Sequence, residues 1–412
     1  MNFLQHYLEC IGCGATYTPN SVVYACRSCR DLLTVKYDYR ELRNTVDLKP
    51  LPGRPISVWR YEQLLPLGHK SERISLGEGG TGLHRCDRLG DDMGLKNLWV
   101  KNEGENPTGS FKDRGMTVGV SRAVEVGACS VACASTGNTS ASLAAYAAKA
   151  GLRCVVLIPF GKIAFGKLAQ AIAYGARVIQ IEGNFDDALN SVLQLTERRQ
   201  TIYPLNSVNP YRLEGQKTLA FEVWDQLGQR VPDKVVVPVG NAGNISAIWK
   251  GFVELKEIGW IDTLPKMMGI QAEGAAPIAE AFKKREKSIH RVENPETVAT
   301  AIRIGSPASW KKALRSIFES SGVMETVSDE EILESQKRLA RLEGLFVEPA
   351  SASSIAGLRR LVDAGSVEVD EEVVAVATGH GLKDPEIIIK TCEEPIRTDG
   401  SVDSIIRSMG VD

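Results

Sequence analysis

From Asn97 onward the chain alternates short, almost continuous apolar runs with amphipathic stretches, and no other feature narrows the possible folds as far. The runs are NLWV (97–100), SVACAS (130–135), CVVLIP (154–159), RVIQIE (177–182), KVVVPV (234–239), MMGIQA (267–272) and VVAVAT (373–378). Helical patterns lie between several of them, among them SASLAAYAAKAG (140–151) and DDALNSVLQLTERR (186–199). Strands apolar on both faces must be covered on both faces, and crossover helices make neighbouring strands parallel. The pattern predicts a doubly wound, mainly parallel α/β sheet. In such sheets a ligand binds beyond the carboxyl ends of the strands, so chemistry is to be sought in the βα loops.

Other classes fall away quickly. With 412 residues, two or three compact units are expected. A 43% hydrophobic content supplies a core and excludes a disordered chain. Apolar runs such as CVVLIPF (154–160) are far shorter than the roughly 20 residues a bilayer requires. Lys plus Arg (49) nearly balances Asp plus Glu (51), which argues against broad nucleic-acid binding. The start, MNFLQHYLEC, has neither the basic nor the apolar region of a signal peptide, so a cytoplasmic location is expected.

Four loops carry candidate chemistry. After KVVVPV comes Gly240-Asn241-Ala242-Gly243-Asn244 and then an apolar helix pattern. Two glycines let backbone N–H groups converge, and the helix start adds positive potential. Alone this loop reads equally as an anion site or a tight turn; lacking the P-loop lysine, it suits a monophosphate better than a triphosphate. After SVACAS, Ser135-Thr136-Gly137-Asn138-Thr139 opens an Ala-rich helix, either as a carboxylate-sized anion site or as simple N-capping. In NPTGSFKDRG, Ser110 reads as an N-cap and Lys112 falls in the first helical turn, where the macrodipole disfavours a cation and favours a free amine. Asp113 and Arg114 read as helix-end and ion-pair residues. In TGHGLKDP, Thr378-Gly379-His380-Gly381 bends close to a ligand, with His380 structural.

The first 38 residues differ. Cys10, Cys13, Cys26 and Cys29 form two CxxC pairs with 12 residues between them, a spacing that places four thiolates around one ion. Within the gap a Pro19-Asn20 turn precedes a β-branched run, SVVY (21–24), and LLTVKYDY (32–39) after the second pair also reads as strand. Unpaired thiols and a redox CxxC are the alternatives, although no helix signal follows Cys13 as a redox site requires. Gly14 after the first pair is typical of a knuckle, and Arg30 after the second is less so. Cys86, Cys129, Cys133, Cys154 and Cys392 read as free thiols. Residues 47–80, rich in turn formers, read as a connector.

Taken together, in this order, the four loops resemble the pyridoxal-phosphate enzymes of fold type II, the tryptophan synthase beta-like group. The likeness is greatest to the threonine synthase family. NPTGSFKDRGM is similar to that family's lysine motif, ASTGNTSAS to its asparagine loop, PVGNAGNISA to its phosphate loop and TGHGLKDP to its pyridine-side segment. SLGEGGT, NSVNPYRLEGQKTLAFE, TAIRIGSPASW and VEPASASSIAGL extend the likeness from about Ser75 to Pro385. Gly82 departs from it, standing where many relatives have Pro. The resemblance implies that Lys112 carries the cofactor, Asn138 bonds its 3′-oxygen, Gly240, Asn241, Ala242, Gly243 and Asn244 hold its phosphate, and Thr378 faces the pyridine nitrogen. Ser135, Thr136 and Thr139 would line the amino-acid side, and Asn206, Ser207 and Arg212 the substrate phosphate. The implied reaction is elimination of phosphate from O-phospho-L-homoserine and addition of water, giving L-threonine. The implied architecture has a zinc-ribbon-like segment (1–38), a discontinuous large domain (39–105 and 213–412) and a small domain (106–212), in a homodimer carrying structural Zn2+. A cysteate-synthase-like lyase acting on phosphoserine, and a non-catalytic zinc-ribbon interaction protein, are the rival readings.

Overall fold

The computed structural model describes residues 6–19, 21, 23–45, 55–161, 165–199, 201–391 and 395–409. Cys392 and part of the 47–80 stretch lie outside them. Three sheets are present among the described residues. The amino-terminal one joins β1 (His6–Cys10), β2 (Thr16–Tyr17) and β3 (Leu33–Tyr37) antiparallel, in the order β2-β1-β3. The largest is built from β4 (Leu83–Arg85), β5 (Asn97–Asn102), β10 (Lys234–Pro238), β11 (Lys266–Ala272), β12 (Val323–Val327) and β13 (Glu372–Ala377), in the order β12-β11-β10-β13-β5-β4. All its neighbours are parallel except β4 with β5. The third has β6 (Ser130–Ala134), β7 (Arg153–Pro159), β8 (Arg177–Ile181) and β9 (Ile202–Pro204), all parallel, in the order β8-β7-β6-β9.

Each apolar run became a strand because both of its faces are covered. Val235 and Val237 of β10 enter one hydrophobic cluster and Val236 the other. In the smaller sheet Val131 and Cys133 face one cluster, Ala132 and Ala134 the other. Five helices position the site: α1 (Lys112–Glu125), α2 (Asn138–Lys149), α3 (Pro210–Gln216), α4 (Gly243–Glu257) and α5 (Pro349–Asp363). β13 pairs with β5 along its whole length, from Glu372↔Asn97 to Ala377↔Asn102. That register lays the carboxyl ends of β5 and β13 side by side, and a further bridge, Ser110↔Gly379, ties the segment before α1 to the loop after β13.

Three expectations are corrected. The described part of 47–80 is not a bare connector. A 3-10 segment, Val58–Leu64, buries Val58, Tyr61 and Leu64, and the buried Glu78 carboxylate accepts from Trp59 Nε1 at 2.9 Å and Tyr146 Oη at 2.7 Å. Apolar residues three apart outweigh the turn formers around them. SVVY forms no strand among its described residues; Tyr24 instead packs edge-on against Tyr203, with centroids 5.6 Å apart. Ser110 also sits one place before the cap, which is Phe111.

The cysteine segment folds as two similar knuckles. Gly14 N–H donates to Cys10 O at 3.1 Å and Arg30 N–H to Cys26 O at 2.9 Å. Both Gly14 (φ 74°) and Arg30 (φ 62°) are left-handed, so the arginine adopts the backbone that a knuckle usually gives to glycine. The four Sγ atoms all lie within 4.8 Å of one another, with Cys10–Cys29 at 3.4 Å and Cys13–Cys26 at 3.6 Å. A tetrahedral zinc with Zn–S near 2.3 Å has S···S edges of about 3.8 Å. The segment is not a free-standing unit: Leu8, Leu33, Val35 and Tyr37 share a hydrophobic cluster with Tyr211, Leu219 and Phe221 of the main body.

Candidate active site

Lys112 opens α1, directly after the bridge to Gly379, and Phe111 N–H donates to Thr378 O at 3.0 Å. It is half-buried, its Nζ 3.7 Å from the Phe111 ring centroid. Burial and the nearby Arg212 guanidinium push the amine down to about 7, against the opposing pull of Glu348. The free amine expected from the helix dipole is thus favoured chiefly by desolvation and a second cation.

Asp113 does more than serve the helix end. Its buried carboxylate accepts from Thr108 N–H at 2.7 Å, Thr108 Oγ1 at 2.6 Å and Ser142 Oγ. It therefore fastens the Asn106–Gly109 turn and α2 to the turn that carries Lys112. Burial pushes Asp113 up to about 6, opposed by those three hydrogen bonds. Arg114, fully buried, is bidentate to Glu103 (2.5 and 2.8 Å) and also reaches Glu222 (2.6 and 2.7 Å).

The Ser135–Thr139 loop follows β6 with all five residues half-buried. Its cap residue is Gly137, with no side-chain cap bond, so simple N-capping does not account for the hydroxyls. Ser135 Oγ accepts from Gly137 N–H at 3.2 Å. Asn138 donates Nδ2 to both oxygens of Glu348, at 3.2 and 3.1 Å. Glu348 caps α5 and is buried; burial pushes its carboxyl up, while Asn138, Lys383 and Lys112 oppose this. It approaches so closely that a Cβ on Gly379 would lie 2.6 Å from its Oε1. Thr378, at the end of β13, has its Oγ1 3.1 Å from Ser351 Oγ.

The GNAGN loop is a concave backbone turn. Ala242 is left-handed (φ 63°, ψ 7°) and caps the 15-residue α4. The Asn244 side chain is buried, and neither its Nδ2 nor its Oδ1 has a partner. Asn241 turns outward instead, its Oδ1 accepting from Ala308 N–H at 3.0 Å. A buried amide unpaired at both ends, beside a helix start, is what a bound phosphate would satisfy.

Across the site, Asn206 and Arg212 differ in character. Asn206 clamps β6 through both amide atoms, to Ala134 N (3.0 Å) and Ala134 O (2.9 Å), so it joins two loops, while Ser207 stays half-exposed. Arg212 is buried with its Nε unpartnered, and burial lowers its guanidinium to about 10. It faces Lys112 electrostatically, as an anion site beside the amine requires.

Sequence reasoning missed Glu348 as a site residue. The available signal was a carboxylate immediately before a helix-opening Pro349, in a segment noted only for its likeness. It also underrated Lys383, whose Nζ donates to Thr108 O at 2.9 Å and to Gln170 Oε1. Gly82, the departure from the family pattern, donates its N–H to Glu105 Oε2 at 2.5 Å, a bond that proline could not make.

Comparisons with known proteins place the chain in a family. Residues 74–379 match the family described as pyridoxal-phosphate dependent enzyme. The chain is 60% identical to the threonine synthase of Methanocaldococcus jannaschii, over 94% of this chain and 96% of that one. It is 58% identical to the threonine synthase of Methanosarcina acetivorans, over 97% and 98%. Among solved structures, the processed threonine deaminase isoform 2 of Solanum lycopersicum superposes with a TM-score of 0.64 at 22% identity, covering 76% of this chain and 87% of that one. Maize serine racemase superposes at 0.63 and 20% identity, covering 75% and 91%.

Proposed function

Because this chain belongs to the threonine synthase family of pyridoxal-phosphate-dependent enzymes, we propose how its own residues divide the conversion of O-phospho-L-homoserine and water into L-threonine and phosphate. The observation that carries the assignment of roles is the amine of Lys112 at the start of α1, between Arg212 and Glu348 and pushed down to about 7 by burial and the Arg212 cation against the pull of Glu348. Pyridoxal phosphate, when bound, supplies an electron sink beside the substrate α carbon.

Lys112 Nζ would hold the cofactor, and as a free amine it is placed to take and return protons at the substrate carbons. The backbone N–H groups of Gly240 to Asn244 and the Asn244 amide hold the cofactor phosphate. Asn138, whose Nδ2 now donates to Glu348, would hold the 3′-oxygen. Thr378 Oγ1 would offer the pyridine nitrogen a hydroxyl, not a carboxylate, a partner that favours the unprotonated ring. Ser135, Thr136 and Thr139 receive the substrate carboxylate at the start of α2. Arg212 and Ser207 receive the phosphate that leaves, with Asn206 holding their loop against β6. A division into residues 39–105 with 213–412 and residues 106–212 follows the two large sheets. Structural Zn2+ on Cys10, Cys13, Cys26 and Cys29, a homodimer and a cytoplasmic location complete the reading. No helix among the described residues is long and apolar enough to cross a membrane.

The test is phosphate release from O-phospho-L-homoserine with threonine identified as the product; turnover of phosphoserine with sulfite, and none of phosphohomoserine, would overturn the reading. Arg212→Leu is expected to raise KM for phosphohomoserine by about one to two decades, the worth of a desolvated charge-assisted contact, while the bound-cofactor spectrum stays intact. Loss of the cofactor instead would assign Arg212 to the wrong phosphate. Freshly reduced protein is expected to contain one zinc per chain by metal analysis, and replacing Cys13 and Cys29 with serine should release it; a zinc-free, fully folded protein would reject the metal.

A further inference from the structure

Helix α3, which carries Arg212, is wedged between two neighbours. On one side it lies against α1 with no spare room. A Cβ on Gly215 would overlap Arg114 O, one on Gly115 would meet Arg212 O at 2.9 Å, and one on Gly119 would meet Arg212 Cγ at 3.2 Å. On the other side it meets the four-cysteine segment through Tyr211 and Glu214, three residues apart and so on one helix face.

His6 stands edge-on to Tyr211, with centroids 5.9 Å apart and its Nε2 3.4 Å from the tyrosine hydroxyl. Tyr37 Oη donates to Glu214 Oε2 at 2.5 Å. Lys217 Nζ reaches the same Oε2 at 2.5 Å and Glu254 Oε2 at 2.7 Å. Lys250 pairs with Glu214 Oε1 and donates to Val35 O at 2.7 Å. Two carboxylates and two ammonium groups thus balance in a buried network whose one tyrosine donor to Glu214 comes from β3. Burial alone would push Glu214 up, yet Lys217 and Lys250 hold it down to about 2.

The register shows how the cysteines reach this network. β1 and β3 pair from Cys10↔Leu33 at one end to His6↔Tyr37 at the other. A clamp on Cys10, Cys13, Cys26 and Cys29 therefore fixes one end of a five-pair ladder. The opposite end presents His6 and Tyr37, which touch Tyr211 and Glu214 of α3.

We infer that the four-cysteine segment is a positioning element for the substrate-phosphate arginine, acting through Tyr37 on Glu214 and so on the helix that aims Arg212. This deepens the proposed function and rests on its reading of Arg212. Tyr37 is a positioning residue: it touches neither substrate nor cofactor, and its effect belongs in substrate binding, not in cofactor retention.

The experiment compares Tyr37→Phe with Tyr39→Phe in the holoenzyme. Tyr39 loses the same hydroxyl from the same network but donates to Glu254 on α4, at 3.0 Å, and not to α3. Tyr37→Phe is expected to raise both KM for phosphohomoserine and the inhibition constant of inorganic phosphate about ten-fold, one hydrogen bond's worth. Its kcat and cofactor absorbance should stay within about two-fold, and Tyr39→Phe should leave all four within that limit. His6→Ala, at a half-buried site, supplies a second variant expected to move the same two constants in the same direction should Tyr37→Phe not fold. A lower melting temperature with both constants unchanged, or equal changes in the two tyrosine variants, overturns the inference. Arg212→Leu is measured alongside. If it leaves KM unchanged, the reading of Arg212 fails and the inference with it; if it raises KM while Tyr37→Phe and His6→Ala do not, the inference alone fails.

Discussion

Lys112→Ala is expected to remove the long-wavelength absorbance of lysine-bound cofactor and to lower turnover by roughly three or more orders of magnitude, since covalent catalysis disappears outright. Two other lysines invite comparison, and the structure separates them. Lys101 is fully buried and committed to Glu222 (2.9 Å), Thr81 O (2.7 Å) and Gln226 (2.7 Å). Lys383 is tied to Thr108 O and Gln170 on the far side of the Asn106–Gly109 turn. Burial lowers the amines of all three, but Lys112 alone of them opens an α-helix. Near-wild-type turnover in the alanine variant would move the chemistry to Lys383. The same substitution has a second readout. The Lys112 amine, ordinarily near 10.5, lies near 7 in the folded cofactor-free chain. Between those values the unfolded chain binds more protons, so this group's contribution to stability rises with pH across the window and its cost is present in full below about 7. Cofactor-free Lys112→Ala should therefore gain melting temperature at and below neutral pH and gain nothing above the ordinary lysine range. A gain that is the same at every pH would mean that the amine is not strained by its surroundings.

How much of this was legible beforehand depended on whether a residue's role is written locally. The seven apolar runs announced their strands because continuous Val, Ile and Ala stretches have few other stable environments. β12 (VMETV) escaped because it is an edge strand with half-buried Val323, Glu325 and Thr326, so no continuous apolar run marks it. β9 escaped because it has three residues. The positions of Lys112, Asn138, Gly243 and Thr378 could be read because each stands at a fixed offset from a strand end. Glu348 could not: it reaches Asn138 across 210 residues, and no spacing in the sequence encodes that pairing. The same is true of Tyr37 and Glu214, 177 residues apart. LLTVKYDY was correctly legible as strand, but the docking of that strand on the arginine helix is a tertiary fact. Arg30 shows the reverse case, a residue atypical for its place that the knuckle's backbone bond nevertheless forces into the left-handed region.

Gly243→Asp is expected to weaken pyridoxal-phosphate binding by at least about two decades while leaving the cofactor-free fold intact or slightly steadier. The two effects have opposite signs because one feature causes both. Gly243 is the first residue of α4, after the left-handed Ala242. A carboxylate in the first turn of a helix interacts favourably with the macrodipole, worth a few tenths to about 1 kcal/mol. Space is not the obstacle: a Cβ at 243 would meet Leu213 Cδ2 at 3.4 Å and Gln216 Oε1 at 3.8 Å, near-ordinary contacts. The added charge would, however, occupy the potential that a phosphate needs. At about 5 Å and an effective dielectric near 20, each pair of unit charges repels by about 3 kcal/mol, which exceeds two decades of affinity. Gly243→Ala is the control, adding the Cβ without the charge. Spectroscopic titration of the cofactor-free proteins with pyridoxal phosphate, beside their thermal melts, reads both quantities. If Gly243→Asp binds the cofactor as tightly as Gly243→Ala does, the phosphate lies elsewhere and the unpaired Asn244 amide needs another ligand. If both variants lose the cofactor equally, the backbone's approach, and not the local field, governs the site.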